Sequence, residues 1–346
     1  MVPIVRDFLF LRQKFPMQLN WQIVTLQLKE TFSISYGNYM HREALIISLS
    51  HKGITGYGEC TSIDYYGIDL KELTNQLALS KDLIESSKIT YPSEFYEFLI
   101  KFNLSSFLVS ALDCAYWDLF GKLENKSFLE LNKITSNHLP DSSITISIAS
   151  IEEQISKIEK SNWSHFKVKC KGFDEKIIQR FSELQQSIAL DSNGSFTESD
   201  CNFIQNHIDA NGFTYIEQPM PKGNYAILDR SLRANWMADE DCQTIENLRS
   251  LQPHYRSINI KLVKCGGLTP ALELIKAARD LDFKIMIGCM TESTVGISAG
   301  AVLAPLVDYA DLDGANLIAN DIADGSKIIN GKVQLSEKPG LGISIR

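Results

Sequence analysis

The sequence predicts an α/β protein, a parallel barrel of the (β/α)8 type joined to a smaller α+β unit, and three observations carry that reading. From Ser143 onward strand candidates recur at a regular interval: Thr145, Lys167, Asp191, Glu217, Asp239, Lys261, Ile287 and Asp311, one inward residue per strand, stand 22 to 26 residues apart by subtraction. Between them apolar residues fall at helical spacing, Ile177, Ile178, Phe181 and Leu184 in one segment and Leu272, Ile275, Ala278 and Leu281 in another. Before Asn103 the order is different, three strand candidates and then helices, which marks a separate α+β unit.

Composition bounds the rest. At 346 residues, 44% of them hydrophobic, the chain can bury a sizeable core and is long for one domain, so a large unit beside a smaller one is expected. A formal net charge of -8 leaves no basic footprint and argues against nucleic acid and anionic membranes as partners. No apolar run is long enough to cross a bilayer. Seven cysteines without a C-x-x-C pair read as scattered reduced thiols in a cytoplasmic protein.

Residues 1–20 read as an N-terminal extension. Arg6, Asp7, Arg12 and Lys14 interrupt the apolar run that a signal peptide needs, so the first sixteen residues are an upstream arm, with Met17 as an alternative start. The α+β unit spans residues 21–120. Its strand candidates are residues 21–29, Ala44–Ser50 and Ile54–Cys60, the last two closing a hairpin at Lys52-Gly53. Residues 70–86 and 93–102 carry helical spacing. Phe32 to Tyr39 is polar, aromatic and glycine-containing, a loop of the kind that closes over a site. The helix Ser105–Leu123 bridges to the barrel, residues 121–320. On it, Asp113 and Asp118 read as helix-surface or interdomain polar contacts.

The period places charge in space. Counting barrel strands from the one that holds Thr145, Lys167 and Lys169 lie on the second, Asp191, Glu217 and Asp239 on the third to fifth, Lys261 on the sixth, and Asp311 and Asp313 on the eighth. In a ring of eight, the second faces the sixth and the fourth faces the eighth. Alternation puts Lys167 with Lys169 on one face, and Asp311 with Asp313. Sites in such barrels sit at the C-terminal strand ends. Three carboxylates on adjacent ends repel too strongly to share a pocket without a cation, and all-oxygen ligation suits Mg2+. For any single acid, a salt bridge to a neighbouring lysine is the bland alternative; three in succession favour the metal. Such a cation would hold a substrate carboxylate with the α-carbon over the barrel axis, Lys169 on one side and Lys261 on the other. An enolate-like intermediate there needs positive charge from the cation and from Lys167 beside the same oxygens. Two opposed bases let a proton leave one face and return to the other, which is racemisation or epimerisation.

The same residues carry a family resemblance. Lys167-Val-Lys169, Leu190-Asp191-Ser192-Asn193, Ile216-Glu217-Gln-Pro219, Met237-Ala-Asp239-Glu240 and Asn259-Ile-Lys261 followed by Gly266-Gly267 resemble, in order and spacing, the enolase superfamily and its muconate-lactonising subgroup. The resemblance covers nearly the whole chain from Trp21. It implies an α+β capping domain, a modified TIM-type (β/α)7β barrel, one Mg2+ per subunit on Asp191, Glu217 and Asp239, and acid/base lysines at Lys169 and Lys261. It also implies that residues 321–346 return to the capping domain. Ser192 departs from the family, whose members usually carry alanine there. Tyr309-Ala-Asp311-Leu-Asp313-Gly resembles the Asp-x-Asp of dipeptide epimerases, in which paired carboxylates take the substrate's α-ammonium; a solvated turn after the last strand is the plainer alternative.

The expected function is therefore Mg2+-dependent epimerisation of a dipeptide at the α-carbon of its C-terminal residue, a two-base 1,1-proton transfer through an enolate, carried out by an isomerase. Phe32 to Tyr39 contains no lysine or arginine, whereas family members acting on Ala-Glu carry a basic residue there. An uncharged or hydrophobic epimerised residue is expected on that ground, although His41 and Arg42 stand close by. Cys289-Met-Thr-Glu-Ser-Thr is expected along the pocket, with Cys289 a small packed residue rather than a nucleophile. His165 is expected to pack inside the barrel. Two alternatives stay open: an o-succinylbenzoate synthase or cycloisomerase of the same subgroup, which has no use for the Asp pair, and a non-catalytic binding protein on the same fold. A homo-oligomer is compatible with the sequence, which does not specify one.

Overall fold

Period-two alternation builds the first sheet. β1 (Gln18–Ile34), β2 (Gly37–His51) and β3 (Ile54–Thr61) form an antiparallel meander, with Leu45, Ile47 and Leu49 on one buried face and Ala44 and Ile46 on the other. The computed structural model describes residues 16–207 and 212–346, so the predicted N-terminal arm falls, up to residue 15, outside the described residues. β1 and β2 run well past the predicted strands. Phe32 pairs with Tyr39, Ser33 with Asn38 and Ile34 with Gly37, so this stretch is no loop but a hairpin tip turning at Ser35-Tyr36. The predicted turn at Lys52-Gly53 does join β2 to β3, both residues having positive φ, 51° and 79°, as a tight two-residue hairpin favours.

The helices Leu70–Ser86, Pro92–Leu99 and Ser106–Glu124 cover one face of this sheet. β3 lies directly on the last of them: a methyl group at Gly58 would come within 1.9 Å of the Ala111 carbonyl oxygen, an approach that only glycine permits. Asp113 and Asp118 on that helix are fully buried, so they are not helix-surface residues; Asp113 makes an interdomain contact, and Asp118 ties its helix to β3 and to the C-terminal segment. Asp113 accepts from Thr269 N at 2.9 Å and Thr269 Oγ1 at 2.7 Å. Asp118 accepts from Tyr57 N at 3.0 Å, Leu341 N at 2.8 Å and Lys122 Nζ at 2.6 Å.

β4 (Ile144–Ile146), β5 (His165–Lys169), β6 (Ser187–Asp191), β7 (Phe213–Glu217), β8 (Trp236–Ala238), β9 (Ser257–Ile260), β10 (Lys284–Gly288) and β11 (Tyr309–Asp311) form one parallel sheet in that order. The sheet is a nearly closed barrel, since Ser143 N donates to Ala310 O at 3.0 Å between its first and last strands. The helices Ile151–Glu159, Glu175–Ser182, Glu198–His207, Leu268–Asp280 and Thr294–Ala301 fall between strands as the spacing predicts. From Gln218 to Asn235, however, the return to β8 is made of turns, because Pro219, Pro221 and Gly223 break any helix there.

Parity corrects one inward assignment. Ala189, Tyr215, Met237, Met286 and Tyr309 cluster inside the barrel, whereas Ile287 packs outward with Leu190, Ile216 and Ile258 in the main core. β10 therefore turns Met286 and Gly288 inward. An interval of 22 to 26 residues cannot fix this, because a slip of one residue exchanges the two faces. His165 also departs from expectation. Its side chain is 39% exposed at the start of β5, 4.0 Å from Asp141, and is not packed.

Beyond β11 the chain runs back over the cap. Ala319 N donates to Gln27 O at 2.7 Å and Lys122 Nζ donates to Ile343 O at 2.7 Å. Among the described residues no helix is long and apolar enough to cross a membrane.

Candidate active site

Register carries the charged side chains to one end of the barrel. Lys169 pairs with Asp191, and Asp191 with Glu217, so the three form a row across β5, β6 and β7. Lys167, level with Ala189, lies below that row. Asp239 and Lys261 directly follow β8 and β9, and Asp311 ends β11 level with Gly288. Parallel strands put all of these at C-terminal ends. None of the eight predicted site residues, Asp313 included, is more than 8% exposed, so Asp311 and Asp313 do not belong to a solvated turn.

Opposite charges pair closely. Lys169 Nζ donates to Asp191 Oδ2 at 2.5 Å and to Asn193 Oδ1 at 3.2 Å, and Lys261 Nζ donates to Asp239 Oδ2 at 2.8 Å. Lys167 is ion-paired with Asp311 and stands 3.4 Å from Glu217 Oε2 and 3.7 Å from Asp191 Oδ2. Ser143 Oγ donates to Asp311 Oδ1 at 2.8 Å, and Thr145 N donates to Asp313 Oδ2 at 2.6 Å. Burial opposes the charge on Lys167 and Lys261, but the surrounding carboxylates, Asp311 and Asp239 foremost, more than reverse it and hold both above the usual lysine range. Burial likewise opposes the charge on Asp191 and Asp239, and the lysines beside each hold it low. For Glu217 burial outweighs Lys167, and its carboxyl is pushed up to about 8. Burial and then Asp311 push Asp313 up to about 6.

Among the described residues no three His, Cys, Asp or Glu side chains converge closely enough to ligate one ion as they stand, since Asp191 and Asp239 are each drawn onto lysine. The donor set nevertheless fits a hard cation. Three carboxylates end adjacent strands, and Glu217 Oε2 is buried without a hydrogen bond while Asn259 Nδ2 holds Oε1 at 2.6 Å. Lys167 Nζ stands 3.4 Å from Glu217 Oε2 without a hydrogen bond to it, and an acid raised in this way can take a further positive partner.

Further side chains complete the site, Lys264 and the reach of Tyr36 among them unforeseen from the sequence. Lys264 Nζ donates to Asp239 Oδ1 at 2.6 Å, to Asp239 O at 2.5 Å and to Asn259 O at 2.9 Å; its only signal is the Lys261-x-x-Lys264 spacing. Tyr36, at the hairpin tip, donates to Glu240 Oε1 at 2.8 Å and stacks on Tyr65 with ring centroids 4.6 Å apart. The cap thereby touches the barrel beside Asp239. Ser192 Oγ donates to Gln218 O at 2.8 Å and Pro219 O at 3.0 Å, tying the end of β6 to that of β7 in a way alanine cannot. Cys289 does line the pocket, and burial followed by Asp313 pushes its thiol well up, which leaves it no nucleophile. Arg42 also reaches the pocket wall. It is 6% exposed, its Nη1 donating to Ser62 O at 3.0 Å and its guanidinium 4.3 Å above the Tyr39 ring, whereas His41 is exposed.

A nearly closed parallel barrel under an antiparallel-sheet cap, with lysines and carboxylates buried at the C-terminal strand ends, defines the class: an enolase-type fold. Comparison with known families gives the particular member. Residues 20–132 match the mandelate racemase / muconate lactonizing enzyme N-terminal domain, and residues 150–346 match the enolase C-terminal domain-like family. The chain belongs to the mandelate racemase / muconate lactonizing enzyme family of the enolase superfamily. It is 36% identical over 337 residues to an L-Ala-D/L-amino acid epimerase of Maribacter sp., covering 95% of this chain and 99% of that relative. A dipeptide epimerase of Methylococcus capsulatus shares the fold with a TM-score of 0.88 at 24% identity, over 96% of this chain and all of the other. A dipeptide epimerase of Enterococcus faecalis, complexed with Mg and the dipeptide L-Leu-L-Tyr, superposes with a TM-score of 0.84 at 25% identity, over 96% of this chain and 100% of that one.

Proposed function

We propose that this isomerase epimerises a dipeptide at the α-carbon of its C-terminal residue, moving a proton between Lys169 and Lys261. The observation that carries the proposal is their opposition. Lys169 is on β5 and Lys261 follows β9, four strands apart in a barrel of eight, and both open into one pocket. The epimerase name of the Maribacter relative and the Mg and dipeptide held by the Enterococcus protein support it.

In this reading Asp191, Glu217 and Asp239 would hold one Mg2+ per subunit, which supplies positive charge to the substrate carboxylate and acidifies the adjacent α-carbon. Lys167, beside two of those acids, adds its own charge towards the same oxygens. Asp311 and Asp313 take the α-ammonium. Lys169 removes the proton on one face and Lys261 delivers one on the other; the roles exchange for the opposite stereoisomer. Tyr36 ties the cap down over the pocket and limits water. The Asp pair argues against a lyase or cycloisomerase, and the complete set of lysines and acids argues against a binding protein.

Phe32, Ile34, Ile63 and Tyr65 on the pocket wall support an uncharged or hydrophobic epimerised residue. Arg42 in the same wall favours an acidic side chain as a second substrate class. Six of the seven free cysteines are buried, in keeping with a reducing cytoplasm. The test is incubation with Mg2+ and a dipeptide library in D2O, followed by mass spectrometry for deuterium at the C-terminal α-carbon. Incorporation into alanyl dipeptides with apolar second residues is expected, and incorporation into Ala-Glu as well would bring in the Arg42 class. Turnover of a succinylbenzoate precursor with no dipeptide labelled would overturn the proposal.

A further inference from the structure

β3 carries an acid that this mechanism does not use. Glu59 follows Gly56 and Gly58, whose close approach to the helix Ser106–Glu124 leaves β3 no room to shift. It is 5% exposed and aims across at the barrel. Its Oε1 accepts from Ser293 N at 2.9 Å, and its Oε2 accepts from Ser293 Oγ at 2.5 Å and from Gly296 N at 3.0 Å. Ser293 Oγ in turn accepts from Val295 N at 3.2 Å. A cap carboxylate and a barrel serine thus close the start of the helix Thr294–Ala301 together. Immediately before that helix, Cys289, Met290 and Thr291 line the pocket.

Glu292 completes the junction. Its Oε1 accepts from Met290 N at 3.3 Å, and a methyl group on Gly296 would come within 2.5 Å of its Oε2. Two buried carboxyl groups therefore meet at one turn, the turn whose N–H Glu59 holds. Burial raises the Glu59 carboxyl above the usual range, the hydrogen bonds from Ser293 and Gly296 oppose that and Asp321 adds to it, while Lys261 offsets only part of the burial of Glu292. Burial and then Glu59 push Glu292 up to about 8, so near neutrality Glu292 keeps its proton and the two acids can coexist. On the other side of the turn Asp321 accepts from Thr294 N at 3.0 Å and Thr294 Oγ1 at 2.6 Å.

Building on the epimerase reading, we propose that Glu59 is a positioning residue for the substrate: by gripping Ser293 and Gly296 from the cap, it sets residues 289–291 at the height a bound dipeptide requires. Cap and pocket wall then move as one, and substrate affinity, more than chemistry, answers to Glu59.

Glu59→Gln keeps the shape and removes the charge. It is expected to raise KM for an accepted dipeptide about tenfold, the scale of one weakened charge-assisted hydrogen bond, with kcat within about threefold of the original. Amide hydrogen exchange should quicken in residues 289–301 and nowhere else in the barrel. Ser293→Ala removes one of these three hydrogen bonds and leaves those from Ser293 N and Gly296 N, so it should raise KM in the same direction but by less. The double variant should rise by less than the product of the two single changes, because the residues share a contact. Unchanged KM and unchanged exchange in Glu59→Gln would overturn the proposal. So would a fall in kcat and a rise in KM together with faster exchange across the whole protein, which would make Glu59 domain glue only. If the unaltered protein labels no dipeptide, the epimerase reading fails by itself, and the exchange measurement still decides whether Glu59 holds this wall.

Discussion

Lys169 and Lys261 each touch a carboxylate of the proposed cation site, Asp191 and Asp239 respectively, so each proposed base is held in place by an acid proposed to ligate the cation. If the two serve opposite faces of one carbon, Lys169→Ala and Lys261→Ala should each lower epimerisation by about 10^3-fold, the usual scale for a positioned acid or base. Each variant should still exchange the α-hydrogen of one stereoisomer only. Mass spectrometry on separated stereoisomers reads this directly, and exchange of both in either variant would refute the opposition. Asp313 supplies a prediction in pH. Burial and Asp311 bring its carboxyl up to about 6, so above that pH it is charged and can take an ammonium group, and below it is neutral. KM for a dipeptide should be lowest between about pH 6 and the substrate α-amine's own titration at about pH 8, and should rise as pH falls, approaching tenfold per unit below about pH 6. Asp313→Asn should have a high KM without that slope. For stability the sign is reversed: a raised carboxyl favours the fold in acid, and that contribution is lost as pH rises through about 6 for Asp313 and about 8 for Glu292.

At the level of elements, the seating of β3 on the helix Ser106–Glu124 fixes where the cap can sit. Gly58→Ala would press a methyl group onto the Ala111 carbonyl, and a backbone oxygen cannot rotate aside. We expect a loss of about 3 kcal/mol or more, measured by urea unfolding, with Gly53→Ala as a control of a different kind, since its methyl meets nothing within 4 Å and only its φ of 79° is strained. Elements also show where periodicity misleads. Phe32 to Tyr39 looks like a loop because its side chains are polar and aromatic, but a two-stranded ribbon with a solvated side has the same composition. The β7 to β8 interval has the length of a strand and helix, and its two prolines prevent the helix. At β10 the interval is right and the face is wrong, since the counting cannot distinguish Met286 from Ile287.

For the whole molecule, the row Lys169, Asp191 and Glu217 with Asp239 beside it crowds three acids at one end of the barrel, and burial pushes Glu217 among them up to about 8. Mg2+ at about 100 times its Kd should stabilise the protein by about 2.7 kcal/mol, seen as a rise in Tm over the EDTA-treated protein, and Glu217→Gln should remove most of that rise. The sequence by itself determined the barrel's strand order and the identity of the charged residues, because a strand-end side chain repeats with the strand–helix unit and leaves a period to read. Only the tertiary structure decided which charges stand level, which residues brace them and how the cap is fastened. Tyr36 meets Glu240 across 204 residues and Glu59 meets Ser293 across 234. Contacts between such distant positions depend on the closure of the barrel and the seating of the cap, and neither leaves a local pattern in the chain.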